Sequence, residues 1–513
     1  MTGAEALLET SRRLGIELCF ANPGTTEMPL VAALDRVGLR AVLGLFEGVC
    51  TGAADGYARM AERPAATLLH LGPGFANGLA NLHNARRAGS PVLNWIGDHA
   101  SWHLAVDAPL TSDIRALAGT VGWVRSAENA ARLARDGADA IAAALGPPGG
   151  VASLIIPVDA QWDDAPGPLP LATARRNRAS ASADALERTL CALRSPGCGL
   201  LLGGHALRGS ALHAAAQIRS HTGCRVWTET FAARHERGAG LPDFPRLPYF
   251  PEQARETLLG VAELVLVGTR NPVAFFAYPN QPSRLAPEPC AITTLCGAHD
   301  DAAASLEALA HELGAPREVA VADRPRAAVA SGPLDSGTLG RTLAALQPEG
   351  AIVVDEAATS GLAWAAHASA APPHTVLALT GGAIGQGLPC AVGAALARPG
   401  QRVIAFQADG SGLYTLQALW TMAREALDVT VVICANRAYR ILQVELARAG
   451  IAEPGPKARS LTQLGPPPVD WVAAARAFGV PGTSVRSAEE LAQALQRSFA
   501  AAGPSLVEAI LAG

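Results

Sequence analysis

Short apolar runs alternate along this chain with longer segments in which apolar residues recur at helical spacing. Runs of this kind predict buried strands, and the segments between them predict connecting helices. Alternation of strands and helices favours doubly wound parallel sheets, whose ligands lie at the carboxyl ends of the strands. The predicted strands cover residues 18–21, 41–46, 66–70, 92–96, 199–202, 225–227, 262–267, 351–354, 403–406, 429–434 and 505–510.

Two stretches rich in proline, alanine, serine and charge interrupt this alternation, at residues 163–184 and 314–337. Such compositions are typical of linkers. At 513 residues the chain is also long enough for about three domains of ordinary size. We therefore predict an α/β protein with three doubly wound parallel-sheet domains, which span residues 1–165, 185–315 and 338–513.

Polar residues that suit a metal ion follow two consecutive predicted strands near the C-terminus. Asp409 follows one of these strands and Asn436 follows the next. A right-handed βαβ crossover places the carboxyl ends of two such strands side by side, so both side chains can reach one cation. Hard oxygen ligands suit Mg²⁺, and the N–H groups of Gly410 and Ser411 suit a phosphate. The alternative is an ordinary βαβ unit in which Asp409 caps a helix over residues 413–424.

A glutamate stands between a predicted strand and a helix of small residues near the N-terminus. Glu47 follows the strand at residues 41–46 and precedes helical spacing over residues 48–60. Small and apolar neighbours leave this carboxylate few groups to solvate it, which makes Glu47 a candidate for proton transfer. The alternative is a carboxylate that interacts only with the positive end of its own helix.

The sequence Asp-Gly-Ser at residues 409–411, followed by a βαβ-length gap and Asn436, resembles the diphosphate signature of thiamine-diphosphate enzymes. The usual signature begins Gly-Asp-Gly and closes Asn-Asn, so Ala408 and Ala435 depart from it while both ligand side chains remain. Nearly the whole chain resembles the superfamily of acetolactate synthase and benzoylformate decarboxylase. The resemblance implies a pyrimidine-binding, a central and a diphosphate-binding domain, in that order.

The resemblance also implies cofactors, partners and residue roles. Thiamine diphosphate is the expected cofactor, and Mg²⁺ is expected on the side chains of Asp409 and Asn436 and the carbonyl of Ala438. Glu47 is expected to assist tautomerisation of the cofactor's aminopyrimidine. In this family the glutamate and the metal site come from different subunits, which implies a homodimer or a homotetramer. The other residues expected to contact the cofactor are Gly382, Ile384, Thr359, Gly410 and Ser411.

Substrate contacts are predicted in the turns that follow the first and third strands. Thr25 and His70 lie in these turns, which resemble those of benzoylformate decarboxylase. There a histidine exchanges protons with intermediates, a task that suits imidazole. Two departures from that enzyme are visible: residues 270–279 contain no histidine, and Glu445 stands where an aromatic residue is common. Glu445 either repels an aromatic 2-oxo acid or faces solvent on an amphipathic helix.

Composition argues against several other classes of function. A net charge of −4 without a basic stripe disfavours nucleic-acid binding. No apolar run is long enough to span a membrane, and we expect a cytoplasmic protein. The nine cysteines lack the paired spacing of a zinc site or a disulfide framework. The segment GGHALRG from residue 203 matches a dinucleotide fingerprint poorly, so neither FAD nor a nicotinamide oxidoreductase is expected.

The sequence therefore predicts an enzyme that uses thiamine diphosphate and Mg²⁺ to decarboxylate a small 2-oxo acid, with release of an aldehyde or transfer to an acceptor. One alternative is the catalytic subunit of an acetolactate-synthase-type enzyme, which joins two 2-oxo acids. Another is a non-catalytic paralogue that binds the cofactor.

Overall fold

The computed structural model describes residues 1–146, 149–170, 178–321 and 324–512, and within it the chain forms two compact units. The first unit contains Met1–Arg176, Arg326–His367 and Leu379–Gly513, and the second contains Asn177–Pro325 and Ala368–Ala378. Residues 171–177 of the first predicted linker and residues 322–323 of the second lie outside the described residues. The N- and C-terminal regions belong to one unit, so the division into three domains stays a prediction.

The N-terminal region of the first unit folds as a parallel sheet with helices between its strands. The sheet order is β2-β1-β3-β4-β6-β5. Its strands are β1 (Leu18–Asn22), β2 (Arg40–Leu43), β3 (Ala65–His70), β4 (Val92–Asp98), β5 (Trp123–Ser126) and β6 (Val151–Pro157). Its helices are α1 (Gly3–Arg13), α2 (Met28–Val37), α3 (Glu47–Ala61), α4 (Leu71–Ala88), α5 (Ile114–Gly119), α6 (Ala130–Leu145) and α7 (Val158–Trp162).

The second unit contains a smaller parallel sheet in the order β11-β10-β7-β8. The strands of this part of the chain are β7 (Cys198–Leu202), β8 (Arg225–Thr228), β9 (His235–Arg237), β10 (Glu263–Val267) and β11 (Ala291–Cys296). The helices are α8 (Ala183–Leu193), α9 (Gly209–Thr222), α10 (Pro251–Thr257) and α11 (Ala302–Glu312).

The C-terminal region adds five parallel strands to the first unit, in the order β16-β17-β15-β14-β12. Its strands are β12 (Ile352–Glu356), β13 (His374–Ala378), β14 (Val403–Ala408), β15 (Val429–Ala435), β16 (Gly482–Val485) and β17 (Ser505–Ile510). Strand β13 belongs to the second unit, where it pairs with β9 in antiparallel register. The helices are α12 (Ser336–Leu346), α13 (Gly361–His367), α14 (Gly387–Ala397), α15 (Asp409–Gly412), α16 (Ala418–Arg424), α17 (Arg440–Arg448), α18 (Pro456–Ser460), α19 (Trp471–Ala477) and α20 (Ala488–Ala500).

The predicted fold class, α/β with three sheets dominated by parallel strands, is confirmed. Some local expectations differ from the structure. The predicted strand at residues 41–46 already ends at Leu43, and the helix predicted over residues 413–424 begins only at Ala418. The prediction missed six strands, β5, β6, β9, β11, β13 and β16. Among the described residues, no helix combines the length and the apolar character needed to cross a lipid bilayer.

Helices α3 and α14 pack against each other at backbone distance within the first unit. A Cβ atom built on Gly56 of α3 would lie 2.1 Å from the carbonyl oxygen of Cys390. One built on Gly393 of α14 would lie 1.9 Å from the carbonyl oxygen of Ala53. Only glycine fits at these two positions. This contact fixes the start of α3 relative to the start of α14.

A buried carboxylate occupies the carboxyl edge of the sheet in the second unit. Glu229, just after β8, accepts hydrogen bonds from the backbone N–H of Gly204 and the hydroxyl of Thr269, both at 2.9 Å. Burial is the main cause that raises the pKa of Glu229 to about 7. The N–H of Gly204 therefore donates to the carboxylate of Glu229. A phosphate placed at this N–H would be repelled by that carboxylate.

We predict that Glu229 makes the stability of the protein depend on pH. Its folded-state pKa of about 7 exceeds the ordinary 4.5, so the stability it contributes is complete below pH 4.5 and is lost as the pH rises through 7. The melting temperature of the wild type should therefore fall relative to that of Glu229→Gln between about pH 5 and about pH 8. A difference in melting temperature that stays constant over this range would contradict the prediction.

Candidate functional site

The carboxyl ends of β14 and β15 bring Asp409 against the turn that contains Asn436. The two strands pair in parallel, with Ala408 opposite Cys434. Asp409 is the first residue of the single turn α15, and its side chain accepts hydrogen bonds from the backbone N–H of Gly410 at 2.9 Å and of Arg437 at 2.6 Å. The residue that caps this turn is Ala408, so Asp409 does not occupy the N-cap position.

The environment of Asp409 suits a bound cation. The residue is 4% exposed, and burial is the largest of the effects on its carboxyl group, so its pKa is raised to about 6 despite the two backbone hydrogen bonds. A buried carboxylate with this pKa lacks full compensation of its charge. A divalent cation at the carboxylate would supply that compensation.

The turn after β15 presents further oxygen atoms beside Asp409. The side-chain oxygen of Asn436 accepts a hydrogen bond from the backbone N–H of Ala438 at 2.9 Å. Arg437 between them has a φ of 57°, and its carbonyl accepts from the N–H of Leu464 at 2.8 Å, which holds the turn in this shape. Carboxylate, amide and carbonyl oxygens form the donor set that Mg²⁺ prefers. The residues present therefore fit this metal.

Glu47 begins α3 at the carboxyl end of the N-terminal sheet. It is 9% exposed, and its side chain accepts a hydrogen bond from the amide of Asn77 at 3.0 Å. A Cβ atom on Gly74 would lie 2.8 Å from the carboxylate, so any larger residue at position 74 would have to displace the side chain of Glu47. The carboxylate is poorly solvated, as the sequence suggests.

Four helices at these sheet edges, α3, α4, α14 and α15, begin without a side-chain cap in the described structure. Other helices of the first unit carry one, such as Asn129 before α6 and Ser487 before α20. An uncapped helix start leaves N–H groups that can bind an anion. In α14 and α15 one such group is already engaged, since Gly387 donates to Glu356 and Gly410 donates to Asp409. Gly410 and Ser411 lie at one of these starts and are buried.

The glycine-rich segment before α14 is held in place by a second buried carboxylate. Glu356, at the end of β12, accepts hydrogen bonds from the N–H groups of Gly385 and Gly387, both at 2.6 Å. Burial raises the pKa of Glu356. Gly382 and Gly385 have φ angles of 76° and 96°, which side chains rarely allow. We call residues 380–387 the glycine loop.

His70 is paired with a buried glutamate that the sequence did not single out. Its Nδ1 lies 2.8 Å from the carboxylate of Glu27, which is fully buried. The same carboxylate accepts hydrogen bonds from the N–H of Gly24 at 2.7 Å and the hydroxyl of Thr26 at 2.6 Å. Because a carboxylate only accepts hydrogen bonds, Nδ1 carries a proton in this pair and Nε2 is the atom left for a ligand.

The other predicted site residues differ in their exposure and in their partners. Thr25 is exposed, and its neighbour Thr26 is the residue that contacts His70, at 3.4 Å. Thr359 is half-buried in a short helical turn, Ala358–Ser360, after β12. Glu445 lies on α17 with its carboxylate 3.7 Å from Nε of Arg448.

Comparisons with known proteins match the two regions of the chain that carry these residues. Residues 1–115 match the model of the N-terminal TPP binding domain of thiamine pyrophosphate enzymes, and residues 357–509 match that of their C-terminal TPP binding domain. The chain is 49% identical to the "Putative acetolactate synthase large subunit IlvX" of Mycobacterium tuberculosis, over 100% of this chain and 99% of the relative.

Two decarboxylases are also similar to this chain. It is 29% identical to benzoylformate decarboxylase of Pseudomonas aeruginosa, over 98% of this chain and 97% of the relative. The solved structure of a thiamine diphosphate-dependent 4-hydroxybenzoylformate decarboxylase from Rhodococcus jostii RHA1 superposes with a TM-score of 0.87 at 25% identity, over 100% of this chain and 99% of the other.

We predict that Asp409→Ala weakens Mg²⁺-dependent binding of thiamine diphosphate by at least about tenfold, because the only charged ligand expected for the metal is removed. Isothermal titration with and without Mg²⁺ measures the effect. Asp428→Ala is a matched control, since Asp428 stands just before β15 at the other end of the same sheet. Equal affinity of wild type and Asp409→Ala would show that the metal binds elsewhere.

Proposed function

This chain belongs to the thiamine pyrophosphate enzyme family. We propose that it is a Mg²⁺-dependent decarboxylase of a 2-oxo acid, similar to benzoylformate decarboxylase, and that it can also transfer its product to an acceptor. When bound, thiamine diphosphate supplies the electron sink that allows a 2-oxo acid to lose carbon dioxide. The remaining steps depend on how this chain binds the cofactor and moves protons.

The hydrogen bond between His70 and Glu27 is the observation that carries the proposal. Release of an aldehyde requires that the carbon which loses carbon dioxide gains a proton. Glu27 fixes the orientation and the Nδ1 proton of His70, as an acidic partner commonly does for a catalytic imidazole. His70 is therefore the proposed proton donor: its Nε2 takes up a proton from solvent and passes it to that carbon, while the Nδ1 proton stays bonded to Glu27. Thr25 is the proposed second contact of the substrate.

Glu47 is proposed to hold a proton at the aminopyrimidine of the cofactor. Its position at an uncapped helix start, its low exposure and its hydrogen bond from Asn77 support this role. The carbonyl of Gly382 and the side chain of Ile384 are proposed to contact the same ring from the glycine loop. Positive φ angles on Gly382 and Gly385 support a loop shaped for a ligand.

The diphosphate end of the cofactor is proposed to bind at the edge of β14 and β15. Asp409, the side chain of Asn436 and the carbonyl of Ala438 are the proposed Mg²⁺ ligands. The N–H groups of Gly410 and Ser411 and the hydroxyl of Thr359 are proposed to donate hydrogen bonds to phosphate oxygens, which for Gly410 replaces its bond to Asp409. We further propose a homodimer or homotetramer, in which Glu47 of one subunit serves the metal site of another.

A second candidate function is that of an acetolactate-synthase-type catalytic subunit. The relative that is 49% identical bears such a name. The lack of histidine in residues 270–279 also supports it, because a decarboxylase of the benzoylformate type carries one there. FAD is not part of either proposal. The carboxylate of Glu229 at the N–H of Gly204 supports this view, since it would repel the phosphates of a dinucleotide.

Assays with a panel of 2-oxo acids test the proposal. Benzoylformate, pyruvate, branched-chain and acidic 2-oxo acids are supplied with thiamine diphosphate and Mg²⁺, and carbon dioxide and organic products are measured. We expect an aldehyde or a 2-hydroxyketone from one of these acids. Acetolactate from pyruvate would favour the second candidate. Cofactor binding without turnover of any acid would instead indicate a non-catalytic paralogue.

We predict that Glu47→Gln retains thiamine diphosphate with little change in affinity and loses at least about a hundredfold in turnover, because the amide cannot donate or accept the required proton in the same way. Titration of the cofactor and the product assay measure the two effects separately. Glu62→Gln, at the opposite end of α3, is the matched control. Turnover equal to wild type in Glu47→Gln would exclude the proposed role of Glu47.

A further inference from the structure

One face of α4 holds the glycine loop by hydrogen bonds to its backbone. Asn81 donates to the carbonyl of Gly385 at 3.3 Å, and Nε2 of His83 lies 3.2 Å from the carbonyl of Gly381. Asn81 also donates to the carbonyl of Gly48, the residue after Glu47, at 2.8 Å. The same turn of α4 therefore contacts both the start of α3 and the loop before α14.

Asn84 makes the most specific of these contacts. Its side-chain N–H donates to the carbonyl of Ala383 at 2.7 Å, and its side-chain oxygen accepts from the N–H of Ala383 at 3.2 Å. The second N–H of the amide is engaged as well, since it donates to the side chain of Asn81 at 3.1 Å. Asn84 is fully buried, so water does not replace any partner it loses. A single amide thus binds both backbone groups of one loop residue.

The ends of the glycine loop are held by a buried ion pair of α3. Asp55 and Arg59 are paired at 2.6 Å, with side chains 0% and 2% exposed. Arg59 donates to the hydroxyl of Thr380 at 3.0 Å, and Gln386 donates to Asp55 at 2.8 Å. Both ends of the loop are therefore fixed, and Asn84 is the contact that determines how its middle is oriented.

The hydrogen bond between Asn84 and the N–H of Ala383 also determines the direction of the carbonyl of Gly382. The carbonyl of Gly382 and the N–H of Ala383 belong to one planar trans peptide and point in opposite directions. When Asn84 accepts the hydrogen bond from that N–H, the carbonyl of Gly382 must point away from α4. In the same way, the bond to the carbonyl of Ala383 fixes the direction of the N–H of Ile384.

We propose that Asn84 is a positioning residue for the aminopyrimidine of thiamine diphosphate. The inference rests on the proposed function, in which the carbonyl of Gly382 and the side chain of Ile384 contact that ring. Asn84 itself does not touch the cofactor in this proposal. It holds the carbonyl of Gly382 in the direction in which this carbonyl can accept a hydrogen bond from the ring. The loop is therefore already ordered before the cofactor binds, and binding does not have to order it.

The test compares two ligands on the full chain with saturating Mg²⁺. Thiamine diphosphate uses both the glycine loop and the metal site, whereas inorganic pyrophosphate uses only the metal site. Titration calorimetry gives the dissociation constant of each ligand, and thermal melting of the ligand-free protein gives its stability. The variants are Asn84→Ala, which removes both contacts, and Asn84→Asp, which keeps the shape but faces an oxygen toward the carbonyl of Ala383.

Asn94→Ala is the matched control. Like Asn84, Asn94 is fully buried, but it lies on β4 and its partners are the hydroxyls of Thr67 and Ser153. Its replacement should lower the melting temperature without changing either dissociation constant. The control therefore separates a loss of stability from a loss of loop orientation.

Both Asn84 variants should bind thiamine diphosphate at least about tenfold more weakly than the wild type, because buried hydrogen-bonding groups of the loop lose their partner. Their affinity for pyrophosphate should stay unchanged. Unchanged affinity for thiamine diphosphate, or an equal loss for both ligands, would overturn the inference. A wild type that binds no thiamine diphosphate would overturn the proposed function first, before any variant is compared.

Thr380→Val keeps the inference testable if the Asn84 variants do not fold. The hydroxyl of Thr380 donates to the backbone carbonyl of Asn84 at 2.8 Å and accepts from Arg59. Valine has nearly the same shape as threonine but lacks this hydroxyl. The variant should therefore bind thiamine diphosphate roughly threefold more weakly than the wild type, and its affinity for pyrophosphate should not change. Wild-type affinity for thiamine diphosphate in this variant would count against the inference.

Discussion

The backbone contact between α3 and α14 is the constraint on which the arrangement of the candidate site depends. Gly56 and Gly393 let each helix approach carbonyl groups of the other, and a methyl group at either position would overlap with backbone atoms. Backbone cannot move aside as a flexible side chain can. Since α3 begins at Glu47 and α14 begins where the glycine loop ends, this contact sets the distance between Glu47 and the glycine loop of the same chain.

Buried carboxylates then fix the loops around that frame, and they fall into two groups. Glu27 and Glu356 each accept at least three hydrogen bonds from neighbouring groups, and these bonds hold turns in place. Asp409 accepts from two backbone N–H groups, and burial still raises its pKa to about 6. Burying a charge is costly unless it is compensated. Glu27 therefore orients His70 and the turn after β1, and Glu356 orients the glycine loop, whereas Asp409 is suited to a cation.

The sequence predicted the parts of the site that follow from chain order alone. Asp409, Asn436 and Glu47 follow strands and His70 ends one, and parallel sheets bring such positions to a common edge. The predicted helix boundary was wrong after Asp409, where the local apolar spacing competes with tertiary contacts. The apolar spacing from residue 413 is helical, but the first four-residue turn ends at Gly412 and the next helix begins at Ala418.

The partners of the predicted residues were beyond the reach of sequence reasoning. Glu27 and His70 are 43 positions apart, and Asn84 and Ala383 are 299 positions apart. Nothing in local spacing distinguishes Glu27 from an ordinary acidic residue at a helix start. Its role becomes visible only when the turn after β1 meets the end of β3 and the carboxylate is buried beside an imidazole. Long-range hydrogen bonds of this kind depend on the assembled fold.

In the proposed function, cofactor binding and reaction choice depend on different parts of the chain. The candidate metal site and the glycine loop consist of backbone groups and buried carboxylates, which would act in the same way whatever the substrate. The turns around His70 and the helix α17 present side chains that are partly exposed. Glu445 on α17 lies 3.7 Å from Arg448, so its negative charge is partly balanced within the helix. An anionic 2-oxo acid would thus meet less repulsion there than an isolated carboxylate would produce, and the presence of Glu445 alone does not argue against such a substrate.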